Sequence, residues 1–170
     1  MKSGQTWTIL GFAYEEEGDF NLAQNAYEKA LRFLASNDQF AADYAIALEN
    51  LANLYGDMSR LGDATSVALK ALHLFQRVNN RAGIARSSVG LANLCLARKN
   101  LRKSESYLTI ATKEAAGALA LDDDFYAGLA STQAWHDALK GDATGAVSGY
   151  QYALDIWKDT HGEEHMVRGG

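Results

Sequence analysis

Apolar residues along this chain fall in stripes of helical period. Trp7, Leu10, Gly11 and Tyr14 recur at i, i+3, i+4 and i+7, which places them on one face of a helix. Ala23, Tyr27, Ala30 and Leu31 form a second stripe after the polar interruption Glu15–Asp19. The pair then recurs. A Leu- or Gln-led dipeptide is followed thirteen residues later by a small residue and seven after that by Ala, in four passes. They run Leu10-Gly11 to Ala23 and Ala30, Leu51-Ala52 to Ala64 and Ala71, Leu91-Ala92 to Ser104 and Ala111, and Gln133-Ala134 to Ala146 and Ala153. Spacing within a pass is fixed, whereas successive passes start 41, 40 and 42 residues apart. All the slack lies between units, which is the pattern of a stacked-repeat solenoid.

The stripes predict paired helices with small residues where the pairs cross closely, because branching has no room there. The first pair runs from about Ser3 to Tyr14 and from Phe20 to about Leu34, joined by a turn at Gly18-Asp19. The second spans about Ala42 to Val78, with its turn near Ser59–Asp63. The third follows Asn79-Asn80, turns at Arg98–Asn100 and continues to about Leu119. The fourth is opened by Asp122, Asp123 and Asp124, turns at Lys140-Gly141-Asp142 and runs to about Lys158. The whole of 1–170 then reads as one solenoid domain, with units at about 3–36, 42–78, 82–119 and 124–159. Residues 160–170 read as a linker or as the start of a further unit. With connections this short, neighbouring helices are nearly forced to be antiparallel.

Composition agrees with helices throughout. Forty-eight per cent of residues are hydrophobic, proline is absent, and β-branched runs are scarce. A net charge of −5 argues against nucleic acid or an anionic membrane as partner. No run approaches the roughly 18 apolar residues that span a bilayer, and MKSGQTW has no leader pattern. Cys95 is the single cysteine, so an internal disulfide is impossible and a reducing, cytoplasmic setting is the expectation.

At these residues the chain resembles the tetratricopeptide repeat family. The pattern W-x2-L-G-x2-Y stands in full as Trp7, Leu10, Gly11 and Tyr14, with Gly18, Ala23, Tyr27 and Ala30 on the family's turn, small, aromatic and small positions. The second unit keeps Leu51, Ala52, Tyr55, Ala64 and Ala71 but has Ser59 at the turn glycine. The third carries Cys95 for the aromatic and Ser104 for the small Ala. The fourth has Gln133 and Asp137 for apolar residues and recovers at Gly141, Ala146, Tyr150 and Ala153. Units of about 40 residues without proline are similar to the longer-helix branch of kinesin light chain and bacterial peptide-sensing regulators, against about 34 in the standard repeat. Gly162-Glu163-Glu164-His165 is similar to the linker opening another unit in that branch. The resemblance implies an all-α, right-handed α-solenoid of four helix-turn-helix units.

It also implies a use. In the family the first helix of each unit lines a concave groove, and that places Phe12, Glu49, Asn53, Arg86, Asn93 and Trp135 on the binding face as the main candidates. Gln5, Thr8, Glu15 and Glu16 join them from the first unit, Ile46 and Asp57 from the second, Val89 and Leu96 from the third, and Ser131, Ala138 and Leu139 from the fourth. Asn53 and Asn93 lie forty residues apart, like an asparagine ladder that grips a peptide backbone. An amide carries both donor and acceptor and can pair a backbone without reading its sequence; the alternative is that Asn is merely tolerated on a wet face. Trp135 is either an aromatic anchor or inter-helix packing. Arg86 is the groove's main cation. The acidic residues there favour a basic or neutral ligand, and the several Lys and Arg that clamp acidic peptide ends in chaperone-binding relatives are missing.

Other signals are weaker. His161, Glu164 and His165 match the inverted zinc-protease string H-x-x-E-H, but a third ligand and a walled cleft have no counterpart in the sequence. The triple Asp suits helix capping better than a cation, Cys95 suits packing better than catalysis, and Arg98, Lys99, Arg102 and Lys103 suit a solvated turn. The expectation is a non-catalytic protein-binding scaffold without metal or cofactor. The alternative is a self-assembly module pairing through its end helices, with Ala146, Tyr150, Ala153, Leu154 and Trp157 on the last one.

Overall fold

The computed structural model describes residues 3–119 and 121–162. Among them are eight α-helices: α1 (Gly4–Glu16), α2 (Phe20–Leu34), α3 (Ala41–Asp57), α4 (Leu61–Arg77), α5 (Arg81–Ala97), α6 (Leu101–Ala115), α7 (Asp123–Lys140) and α8 (Ala143–His161). One short 3-10 turn, Asp38–Phe40, sits between α2 and α3. The HxxEH string runs into residues 163–170, so it lies outside the described residues.

The chain is an all-α solenoid. Each helix packs on the next, and the odd-numbered helices also touch in succession, α1 with α3, α3 with α5 and α5 with α7. No two even-numbered helices share a comparable contact among the described residues. The odd helices therefore crowd together on the inner face, and the even helices splay on the outer one. Between consecutive pairs, α6 and α7 make the thinnest of the three junctions.

The turns explain the regularity. Eight residues after each leading Leu or Gln stands a left-handed residue: Gly18 (φ 80°), Ser59 (59°), Lys99 (56°) and Gly141 (92°). The next amide then bonds back five residues, Asp19 to the Tyr14 carbonyl and Arg60 to Tyr55 at 2.8 Å each, Asn100 to Cys95 at 2.8 Å and Asp142 to Asp137 at 2.9 Å. This 6→1 closure satisfies carbonyls that a helix end would otherwise leave open. Asn79 (φ 52°) repeats the device between α4 and α5, where the Asn80 amide reaches the Phe75 carbonyl at 2.9 Å. Side chains then start the following helices: Asn80, Asn100, Asp122 and Asp142 accept from the amides of Gly83, Lys103, Phe125 and Gly145. Asp122 is thus a cap, as its place in the sequence suggested.

Small residues fill the crossings. Ala23, Ala30, Ala64, Ala71 and Ala111 are fully buried. Ser104 takes the place of Ala in the third unit; its hydroxyl is buried and without a partner, as is that of Ser88. Gly11 is required by its neighbour: a Cβ there would stand 2.5 Å from the ring of Tyr27. In the fourth unit the approach reverses, since Ala134 occupies the equivalent place and Gly149 on α8 lies against it. α6 ends at Ala115 rather than near Leu119. Arg81 clasps its end, donating from Nε to Glu114 Oε2 at 3.0 Å and from Nη2 to the Lys113 carbonyl at 3.3 Å. Its guanidinium occupies the space that a side chain at Gly117 would need.

Candidate functional site

The odd helices leave a groove of about 1290 Å³ along their inner face. Phe12 of α1, Glu49 and Asn53 of α3, Arg86 and Asn93 of α5 and Trp135 of α7 all border it. Geometry brings together the six residues that sequence reasoning placed on one surface. They meet because α1, α3, α5 and α7 succeed one another along it, and because their register within each helix is fixed by the turns.

Each contributes differently. Phe12 is exposed and presents an apolar ring at one end. Trp135 is half-buried at the other, so part of its ring packs and part faces the groove. Asn53 is exposed and Asn93 half-buried, and among the described residues neither side-chain amide has a protein partner. Both are free to pair with a backbone.

Glu49 is the most constrained group. Its side chain is only 16% exposed. It accepts a hydrogen bond from Ser87 Oγ at 3.1 Å, and Arg86 Nε lies 3.9 Å from its other oxygen. Burial pushes its carboxyl up to about 7, against the smaller opposing pull of Arg86 and Ser87. Arg86 thereby faces a carboxylate of its own chain before it meets any ligand.

Several expected groove residues lie elsewhere. Leu96 is 1% exposed and belongs to the core; its helix turns it inward one step past Cys95. Glu15 accepts from the Tyr27 hydroxyl at 2.6 Å, and burial raises both its carboxyl and the Tyr27 phenol. Gln5 donates to Asp43 at 3.0 Å. Ala138 and Leu139 do not border the groove, whereas Ile46, Asp57, Val89 and Ser131 do. Sequence reasoning missed Ser87 and Tyr150 on its wall and read Asp122 and Asp124, with Asp123, as helix-capping residues in preference to a cation site, not as part of the groove. Ser87 and Tyr150 lie on neighbouring faces of their helices, and their arrival depends on how far each pair rotates on the last, which periodicity does not encode.

Cys95 is half-buried and burial raises its thiol, with Lys103 and Arg98 opposing; packing is what its surroundings provide. Among the described residues no group of three or more His, Cys, Asp or Glu is arranged to hold a metal. No described helix is long and apolar enough to cross a membrane.

Comparisons with known proteins agree with this architecture. The family model described as tetratricopeptide repeat matches residues 4–33. The uncharacterized protein ycf37 of Pyropia yezoensis is 37% identical over 75 residues, covering 44% of this chain and 37% of that protein. Among solved structures, BtubC (BKLC) from P. vanneervenii superposes with a TM-score of 0.75 at 18% identity, over 94% of this chain and 65% of that one. A Rap protein complexed with Competence and Sporulation Factor gives a TM-score of 0.79 at 16% identity, over 92% and 43%. A Podosopora anserina protein with kinesin light chain, nearly identical TPR-like repeats gives 0.64 at 14% identity, over 93% and 76%. At these identities the structural likeness concerns the fold. The chain spans little more than a third of ycf37 and less than half of the Rap protein.

Proposed function

We propose that this chain, whose residues 4–33 match the tetratricopeptide repeat model and whose fold is similar to that of a kinesin light chain-like array of TPR-like repeats, is a non-catalytic scaffold holding an extended protein segment in the inner groove. The observation that carries this reading is the pair of unengaged amides, Asn53 and Asn93, bordering one groove from touching helices. Each presents a donor and an acceptor toward a passing backbone. The Rap protein complexed with Competence and Sporulation Factor shares the fold, which supports a binding use of it.

Magnitudes assign the rest. At about 0.5–1.5 kcal/mol net per hydrogen bond, four bonds supply about 2–6 kcal/mol, short of the roughly 8 kcal/mol that micromolar binding needs. Phe12 and Trp135 supply aromatic anchors for the remainder. Four carboxylates border the groove, those of Glu49, Asp57, Asp122 and Asp124, against the one guanidinium of Arg86. A basic or neutral segment fits that balance better than an acidic one. The test is retention of a random peptide pool on the full chain and on Asn53→Ala/Asn93→Ala. A clear loss on the double variant, with its helicity unchanged, supports the groove; equal retention removes it.

A second reading rests on α8. Val147 and Tyr152 are 69% and 62% exposed, and Tyr150 and Leu154 lie beside them in half-open positions. Ala146 and Ala153, expected on that outer face, are instead buried against α7, and Trp157 stacks on His161 at 5.1 Å. An apolar end helix suits self-association. Light scattering that finds a monomer at high concentration removes this reading.

A further inference from the structure

The groove's wall contains a carboxylate whose bonding is incomplete. Glu49 offers about four lone-pair positions, and the Ser87 hydroxyl at 3.1 Å fills one of them. Arg86 Nε stands 3.9 Å from Oε2, beyond hydrogen-bond range, so this partner contributes charge without a bond. Oε2 is not among the fully buried side-chain atoms left without a partner, so it keeps access to solvent, and a charged donor that reaches it replaces water there. Ser87, itself 3% exposed, fixes the direction of the carboxylate, leaving Oε2 toward the groove side where Arg86 stands.

The groups around it do not supply that donor. From α5 the facing groups are Arg86 and Ser87. α1 borders the groove through uncharged Phe12, α4 through Leu61 and Ala68, and α8 through the phenol of Tyr150, while the ionisable residues of α3, of α7 and of its cap are further carboxylates, Asp57, Asp124 and Asp122. The field along the groove is negative, and the occupant that complements it is cationic.

We propose that Glu49, oriented by Ser87, is the selectivity point of the groove and takes the Arg or Lys side chain of a bound extended segment. This inference rests on the groove reading above. A guanidinium suits the site best, since its fork pairs with a carboxylate through two parallel bonds. Burial holds the Glu49 carboxyl near 7, so an arriving cation displaces a proton, and recognition strengthens as the pH rises through neutrality.

The experiment uses the full chain and three fluorescent pools of random peptides, about ten residues long, with the central residue fixed as Arg, citrulline or Glu. Anisotropy at about pH 8 is expected to give the Arg pool roughly tenfold tighter binding than the neutral citrulline pool, the worth of one charged hydrogen bond. The preference should shrink at about pH 6. Glu49→Gln should erase the preference for the Arg pool over the citrulline pool. Arg86→Gln, which removes the nearby competing cation, should widen it, and this result decides the matter if Glu49→Gln does not fold. Equal binding of Arg and citrulline pools, with dependence on Asn53 and Asn93 intact, overturns the role of Glu49 and leaves the groove standing. Preference for the Glu pool also overturns it and assigns recognition to Arg86. Indifference of all pools to Asn53→Ala/Asn93→Ala overturns the groove and this inference together.

Discussion

Single residues hold this solenoid in its geometry at positions where their chemistry is poorly suited. Ser59 and Lys99 adopt the left-handed conformation that Gly18 and Gly141 adopt in the outer units. An L-residue pays about 1–2 kcal/mol for that conformation, partly offset by the larger entropy glycine loses on folding. Ser59→Gly and Lys99→Gly should each raise stability by about 0.5–1 kcal/mol, read as a shift of the urea midpoint without a change of slope. Glu49 is the other costly residue. Its carboxyl sits near 7 when folded against an ordinary 4.5, so the native state keeps a proton that the unfolded chain releases. Its contribution is intact below about 4.5 and is lost as pH rises to about 7, up to about 3 kcal/mol in all. Glu49→Gln should therefore melt with a flatter pH profile and exceed the unaltered chain in stability at about pH 8. Equal profiles for the two would show that this carboxyl titrates normally.

At the scale of helices, complementarity between partners decides what each position accepts. Gly11 faces Tyr27, whereas Ala52, Ala92 and Ala134 hold the equivalent place opposite Ala68, Leu108 and Tyr150. Tyr27 is fully buried, while Tyr150 borders the groove and is 42% exposed, so only the first unit demands glycine. Gly11→Ala should cost about 1–3 kcal/mol through overpacking. Tyr27→Leu should lower that penalty, and a double-mutant cycle will show coupling where the rings and the added methyl compete. Periodicity made the helix pairs and their turns legible, because the close crossings admit only small residues and the turn tolerates few conformations. It did not reveal that Leu96 points into the core or that Ser87 joins the wall. Those outcomes depend on the rotation of one pair against the next, a sum of many side-chain contacts. The end of α6 was equally hidden, since Arg81 clasps it from more than thirty residues earlier in the chain.

For the whole molecule, stability is shared out along a line. α3, α4 and α5 are covered by neighbours on both sides, whereas α8 buries only Ala146 and Ala153 and the α6–α7 junction is thin. Amide exchange should therefore be fastest in α8, then α7, and slowest in α3 to α5. Uniform protection across all eight helices would mean that the array opens as one unit. The fold was legible at this scale from the repeat alone, and the acidic balance of the groove was legible in part, through Glu49 and Asp57; Asp122 and Asp124, from the start of the fourth unit, share that wall only after stacking.

The contrast between crowded odd helices and separated even ones has a mechanical consequence. Pulling the two ends apart stretches the inner side, where helices already touch, and relaxes the outer side, where they do not. Such an array behaves as a bent leaf spring: stiff along its inner edge, compliant along its outer edge, and softest at α6–α7. A segment seated along that inner edge would brace the spring, so occupancy and curvature are two readings of the same elastic state.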